Sequence, residues 1–137
     1  MPLDPARIAA TRPWFVRSAE DLRAAEHGFF AQPPLLGAIV FHCQPAAEKT
    51  IKGFLTWHDV VFRKTHDLGE LGVQCTALHG SLESLCRRPE ALTVYAWTFR
   101  YPGDVEQPSQ QEAEEAFDLA RQVHDAVLAT LPSAVRP

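Results

Sequence analysis

Apolar residues recur at intervals of three and four through most of the chain. The clearest stripe is formed by Leu36, Val40, Cys43, Ala47, Ile51 and Phe54. This period places the residues on one side of an α-helix, so the pattern predicts a long helix from Pro34 to His58 that packs against neighbouring helices. Pro45 interrupts the stripe without shifting its phase, and we therefore expect one kinked helix rather than two.

Two shorter stretches repeat the helical period on either side of this long helix. A first helix is predicted from Pro13, because proline suits the first turn, and it should break at Gln32-Pro33-Pro34. Asp67, with Glu70 three residues later, has the pattern of a capping box and predicts a short helix over residues 68–78.

The C-terminal half has two further helix starts. Pro89 is expected to open a helix, after a short helical piece from Ser81 to Arg87. Ser109, with Glu112 three residues later, is a second capping-box pattern before a last helix over residues 110–131. The turn signal Tyr101-Pro102-Gly103-Asp104 separates these two helices.

No segment shows sustained alternation with a period of two, so no sheet is predicted. The fold class expected is all-α, an antiparallel up-and-down four-helix bundle with one or two additional short helices. Residues 1–11 and 132–137 lack a clear period, and we interpret them as a flexible N-terminal arm and a flexible C-terminal tail around a domain of residues 12–131.

Composition narrows the class of protein. A chain of 137 residues with 46% hydrophobic and 22% charged residues indicates a single globular domain. The net charge of -4 argues against a protein that coats duplex nucleic acid by bulk charge, although a local basic patch stays open. Three cysteines without a CxxC pair are interpreted as reduced thiols of a cytoplasmic protein. No signal peptide or membrane span is expected.

The segment Arg63-Lys64-Thr65-His66-Asp67 carries the densest candidate chemistry. Arginine and lysine hold phosphate oxygens, a helix start attracts anions, and histidine exchanges protons near neutral pH. His66, with Arg63, is the candidate for a catalytic role, and Asp67 could orient it. The alternative is equally physical: Asp67 caps a helix, His66 packs on the bundle, and the two cations are solvated.

Two other groups are candidate contacts for a ligand. Lys49 and Lys52 could meet phosphates in a groove between helices, or they could belong to a solvated face on which Glu48 pairs with Lys52. A second group could form a wall for base stacking, or it could be a core tyrosine and a helix terminator. Its members are Tyr95, Arg100 and Tyr101.

A metal site and a cofactor are not predicted. Histidine and aspartate residues that could bind a divalent ion have generic spacings. They are His42, His58, Asp59, His66 and Asp67, with Asp118 or Asp125 as a fourth ligand. His124 lies on the apolar stripe of the last helix, which indicates a core or dimer-interface histidine.

Three parts of the chain together resemble the HEPN family, named for a nucleotide-binding domain of higher eukaryotes and prokaryotes. Residues 41–54 are similar to its second-helix signature, FHxQQAAEKxLKAFL, although Pro45 stands where the family usually has glutamine or alanine. Residues 62–71 resemble its THDL segment, and residues 92–102 resemble its LxxY…RYP stretch, in the same order and spacing. The resemblance covers residues 12–130 and indicates a THDL-type bacterial stand-alone member.

The resemblance implies a helical bundle, usually a homodimer, that acts beside a minimal nucleotidyltransferase as a substrate-binding subunit or as half of a toxin–antitoxin pair. Many members are metal-independent endoribonucleases with an Arg-x4-6-His motif. No arginine here precedes a histidine at that spacing, and Arg63 and His66 have only two residues between them. We therefore expect a nucleotide-binding or accessory protein rather than an enzyme, with an endoribonuclease toxin that uses His66 and Arg63 or Arg100 as the alternative.

Overall fold

The computed structural model describes residues 3–78, 84, 87–96 and 107–137, and for residues 94–96 it describes the backbone. Within these residues the chain is helical and forms no strand, which confirms the all-α fold class. The α-helices are α1 (Pro5–Phe30), α2 (Leu36–Trp57), α3 (Leu68–Leu78) and α4 (Gln110–Ala129). The structure also describes two 3₁₀ helices, Arg88–Ala96 and Ser133–Val135.

Helix α1 begins at Pro5, so the predicted start at Pro13 is wrong and residues 5–11 of the expected arm are helical. The local reason is a cap that the apolar period does not reveal. The Asp4 side chain accepts a hydrogen bond of 2.9 Å from the Ala6 amide, and Pro5 occupies the first turn. Thr11 is fully buried, which ties this first part of α1 to the bundle.

Helix α2 is the central element and contacts α1, α3, α4 and the 3₁₀ helix Arg88–Ala96. It runs through Pro45 as one helix, as predicted. Cys43, Ala47, Ile51 and Phe54 of the predicted stripe are fully buried. Burial extends beyond this stripe, because α2 is surrounded by other elements on several sides and several of its polar side chains are also enclosed.

Helices α1 and α2 approach each other closely at Gly53. A Cβ atom built on Gly53 would meet Phe15 Cζ at 2.8 Å and Trp14 Cβ at 3.0 Å. Phe15 is fully buried, so its ring has no open space into which it could move. The absence of a side chain at Gly53 therefore allows the two helices to pack at this distance.

The C-terminal elements agree in part with the predicted helices. The capping box of Ser109 and Glu112 is present, and α4 follows it as predicted. Arg88–Ala96 is a 3₁₀ helix and not the predicted α-helix. A proline in the first turn is compatible with either type of helix, so Pro89 predicted a helix start but not the type of helix. The predicted helical piece from Ser81 and the turn at residues 101–104 fall largely outside the described residues.

The prediction that the cysteines are all reduced thiols is wrong for Cys75, which is disulfide-bonded. A disulfide depends on how closely two Cα atoms approach in space, and sequence spacing does not reveal that distance. Cys43 is free and buried, and burial, assisted by the nearby Asp21 charge, raises the pKa of its thiol to about 12. Among the described residues, no helix combines the length and apolar character needed to cross a membrane.

Candidate functional site

The start of α3 is capped by Asp67, as predicted. Its Oδ1 accepts hydrogen bonds from the amides of Gly69 at 2.9 Å and Glu70 at 3.3 Å. The Asp67 amide donates to Thr65 Oγ1 at 3.0 Å, so the Glu70 side chain does not complete the predicted capping box. Because the Asp67 carboxylate occupies these amides, the start of α3 does not offer them to an anionic ligand.

Glu70 instead forms a bidentate ion pair with Arg63. Arg63 Nε donates to Oε1 at 2.9 Å and its terminal nitrogen donates to Oε2 at 2.7 Å. These hydrogen bonds raise the pKa of Arg63 and lower the pKa of Glu70. The Arg63 side chain is 75% exposed, so the pair is of the surface type that contributes little to stability.

His66 stands at the surface with one ring nitrogen attached to the interior. Its side chain is 63% exposed, and its Nδ1 lies 2.6 Å from Oε1 of Glu48 on α2. The backbone of the same residue is also held, because Gln44 Nε2 donates to the His66 carbonyl oxygen at 3.2 Å. Helix α2 therefore fixes both the main chain and the imidazole at this point of the connector.

The carboxylate that holds His66 is buried and has further donors. The side chain of Glu48 is 7% exposed, and Lys52 Nζ donates to its Oε2 at 3.1 Å. Gln44 Nε2 donates to Glu48 Oε1 at 3.0 Å. We call these four residues the His66 network; its members are Gln44, Glu48, Lys52 and His66.

Lys52 lies inside the bundle. From the sequence we considered a ligand groove and a solvated face, and Lys52 occupies neither. Its side chain is 8% exposed, and its ammonium group lies 5.9 Å from the Trp14 ring and 5.8 Å from the Phe62 ring. At these distances the aromatic faces add a cation–π attraction to the ion pair with Glu48. Lys52 thus supports the His66 network from within.

Lys49 is bonded to a different carboxylate. Its Nζ donates to Asp21 Oδ2 on α1 at 2.6 Å, and Asp21 Oδ1 lies 2.9 Å from His42 Nδ1. The structure therefore does not join Lys49 and Lys52 in a common cationic groove. The Asp21–His42 pair does, however, repeat the arrangement of a carboxylate bonded to a histidine Nδ1 that is found at His66.

Lys64 is exposed and makes no side-chain hydrogen bond or ion pair with the part of the chain that the structure describes. The 3₁₀ helix Arg88–Ala96 lies beside this site, since the Leu68 amide donates to Thr93 Oγ1 at 3.1 Å. Tyr95 belongs to this 3₁₀ helix, but its side chain lies outside the described atoms. Arg100 and Tyr101 lie outside the described residues.

His124 belongs to the core between α1, α2 and α4. Its Nδ1 lies 3.0 Å from Ser18 Oγ and 3.3 Å from Thr50 Oγ1. Both hydroxyl groups also donate to the Ala46 carbonyl oxygen, each at 2.8 Å. Burial lowers the pKa of His124, and the neighbouring Asp125 opposes this shift. The sequence indicated a core histidine or a dimer-interface histidine, and within this chain His124 is a core histidine.

Within the described residues, no three histidine, cysteine, aspartate or glutamate side chains converge in a way that could hold a metal ion. His42 and His66 bind separate carboxylates, on α1 and α2 respectively. The ring of His58 packs against Phe54, with 4.6 Å between the ring centroids. These histidines therefore do not form one shared site.

Comparison with known proteins addresses the family of the chain. The family model described as the HEPN domain matches residues 11–130. Searches of curated proteins and of solved structures returned no match. The matched range includes α2, the capped start of α3 and α4, which carry the His66 network and the core around it. On this match, the chain belongs to the HEPN domain family.

Proposed function

We propose that this HEPN protein is a binding module that recognises the phosphate of a nucleotide with Arg63, Lys64 and His66. In this role it serves as a homodimeric accessory or substrate-binding subunit of a minimal nucleotidyltransferase. The observation that carries the proposal is the His66 network, which fixes one exposed imidazole in the same four-residue segment as two exposed cations.

The energetics of the network support a role at the surface. A buried ion pair such as Glu48–Lys52 is often no more stabilising than two well-packed apolar side chains, because both charges lose their hydration. Stability alone therefore gives little reason for these residues. A role in ligand binding gives a better reason, because an imidazole that is already held in one orientation loses less conformational freedom when it binds a ligand.

The charges around His66 suit a phosphate. Arg63, Lys64 and His66 fall within four consecutive residues of a chain whose net charge is -4. The guanidinium group of Arg63 already holds two carboxylate oxygens, and phosphate oxygens fit the same fork. Because the Arg63–Glu70 pair is exposed, a phosphate can compete with Glu70 at low cost. Lys64 supplies a nearby positive charge without a described partner.

Charge reversal at Lys64 tests this proposal. We expect Lys64→Glu to weaken the binding of ATP by about tenfold or more, equivalent to about 1.4 kcal/mol, because it replaces an attraction to phosphate with a repulsion. Calorimetric titration at about 0.1 M salt measures the affinity, and adenosine serves as the ligand without phosphate.

The matched control is Arg23→Glu, which makes the same change of charge at an exposed position of α1. It should alter the affinity for ATP by less than about twofold, since non-specific charge effects are screened over roughly 10 Å at moderate salt. Equal losses in the two variants would indicate bulk charge instead of a site. No measurable ATP binding by the wild type would refute the nucleotide-binding proposal.

The Glu48–His66 pair also favours a second candidate, a metal-independent endoribonuclease. A histidine oriented by a carboxylate is the usual arrangement for transfer of a proton to or from a reacting group. The binding proposal predicts no RNA cleavage in the presence of a chelator. If the wild type cleaves, and His66→Ala abolishes cleavage while His42→Ala retains it, the ribonuclease function replaces the binding role. His42 is a matched control because its Nδ1 also contacts a carboxylate.

A further inference from the structure

We propose that Glu48 is a positioning residue that keeps the His66 proton on Nδ1 and so makes Nε2 the ring atom that meets the ligand phosphate. This inference rests on the proposed function for its ligand and on the His66 network for its geometry. The family resemblance did not single out Glu48 as a site residue, and only its burial and its partners suggest this role.

The tautomer follows from the donors around the carboxylate. Lys52 Nζ donates to one oxygen of Glu48, and Gln44 Nε2 donates to the other. A carboxylate that receives an ammonium and an amide hydrogen bond acts as an acceptor towards its third neighbour. The contact of 2.6 Å to His66 Nδ1 is therefore an Nδ1–H···O hydrogen bond.

This hydrogen bond determines how His66 can meet a ligand. With Nδ1 committed to Glu48, any polar contact between the imidazole and a phosphate uses Nε2. Phosphate oxygens accept hydrogen bonds, so the ring that meets a phosphate carries a proton on both nitrogens, with Nδ1–H donating to Glu48 and Nε2–H donating to the phosphate. The same hydrogen bond fixes the plane of the ring, so Nε2 points in one direction from the connector.

The role of Lys52 in this arrangement is electrostatic. Its ammonium group balances the charge of Glu48 inside the bundle, where an unpaired carboxylate would be costly. A test that changes Glu48 alone would therefore leave a buried lysine without its partner and could unfold the protein. Both residues must be changed together to keep the interior neutral.

Two double variants separate the positioning role from a packing role. Glu48→Leu with Lys52→Met removes both charges and the acceptor, whereas Glu48→Gln with Lys52→Met removes both charges but keeps a side-chain oxygen that can accept from Nδ1. Nitrogen NMR of the imidazole ring reports which nitrogen carries the proton, and titration with ATP reports the ligand contact.

We expect the wild type and the glutamine double variant to hold the His66 proton on Nδ1, and the leucine double variant to give a mixture of tautomers. The leucine double variant should bind ATP about tenfold or more weakly than the wild type, by analogy with the loss of affinity when the group that orients a metal-binding histidine is removed. The glutamine double variant should recover most of that affinity.

Retention of the Nδ1 proton in the leucine double variant would overturn the inference, as would unchanged ATP affinity after the tautomer is lost. Failure of the proposed function is distinguishable, because it appears as absent ATP binding in the wild type while the tautomer still depends on Glu48. In that event the ligand role of Nε2 is overturned as well. The His42 resonances provide an internal reference, since their carboxylate partner, Asp21, is unchanged in each variant.

Discussion

Replacing Glu48 by leucine is expected to lower the free energy of unfolding by about 3–5 kcal/mol, because it leaves a buried charge without its partner. The side chains of Glu48 and Lys52 are 7% and 8% exposed, so water cannot replace the lost carboxylate around the ammonium group. The rings of Trp14 and Phe62 lie near 6 Å from this ammonium and compensate only in part. Urea unfolding at neutral pH measures the loss.

The same reasoning predicts that the double variant Glu48→Leu with Lys52→Met recovers the free energy of unfolding that Glu48→Leu loses. Replacing a whole buried pair by apolar side chains of similar size is often neutral or stabilising by about 1–4 kcal/mol. The double variant should therefore be more stable than Glu48→Leu alone. The control Asp118→Leu removes the carboxylate of an exposed pair with Arg121 and should cost only a small fraction of the loss at Glu48.

Two results would contradict this interpretation of the pair. One is a loss below about 1 kcal/mol in Glu48→Leu, which is the range of an exposed pair. The other is a double variant that is less stable than the single variant, since that would mean that Lys52 stabilises the fold without needing Glu48.

Acid is expected to destabilise the fold through His124. Burial lowers the pKa of this histidine in the folded state, so the unfolded chain takes up a proton at a higher pH than the folded chain does. Stability from this group is therefore fully present above the usual histidine pKa of about 6.5 and is lost as the pH falls from there towards the lowered folded-state pKa. Below that lower pKa, both states are protonated and the loss levels off.

The variant His124→Asn tests this linkage. Asparagine keeps a donor near Ser18 and Thr50 but has no proton to gain, so its free energy of unfolding should fall less steeply between about pH 7 and pH 5. The matched control is His27→Asn, which makes the same substitution at an exposed position of α1. Parallel curves for the wild type and His124→Asn would show that another group causes the acid sensitivity.

Much of the helical framework could be predicted from local pattern. The apolar stripe located α2 within two residues at its start, and the capping residues Asp67 and Ser109 marked the starts of α3 and α4. These features succeed because a cap and a helical period act over one or a few turns. The start of α1 was missed, although Asp4-Pro5 has the chemistry of a helix start, because the residues that follow it show no clear apolar period.

The candidate site could be predicted only as a segment of sequence. Residues 63–67 were singled out, but the partner of each charge was not, because burial is decided by neighbouring helices. Lys49 and Lys52 are three residues apart, yet one reaches a carboxylate on α1 and the other is enclosed. A signal for the His66 network was nevertheless present: Gln44, Glu48 and Lys52 recur every four residues and form a polar stripe on α2.

The absence of a side chain at Gly53 restricts which substitutions at positions 53 and 15 can occur one at a time during evolution. Alanine is the better helix former, but its methyl group would collide with Phe15 and press against Trp14. If a smaller side chain replaces Phe15 first, a cavity opens in the core. If a larger residue replaces Gly53 first, the contact between the two helices is overpacked. Each single step is expected to lower stability, so we expect the glycine and the phenylalanine to be kept together or replaced together.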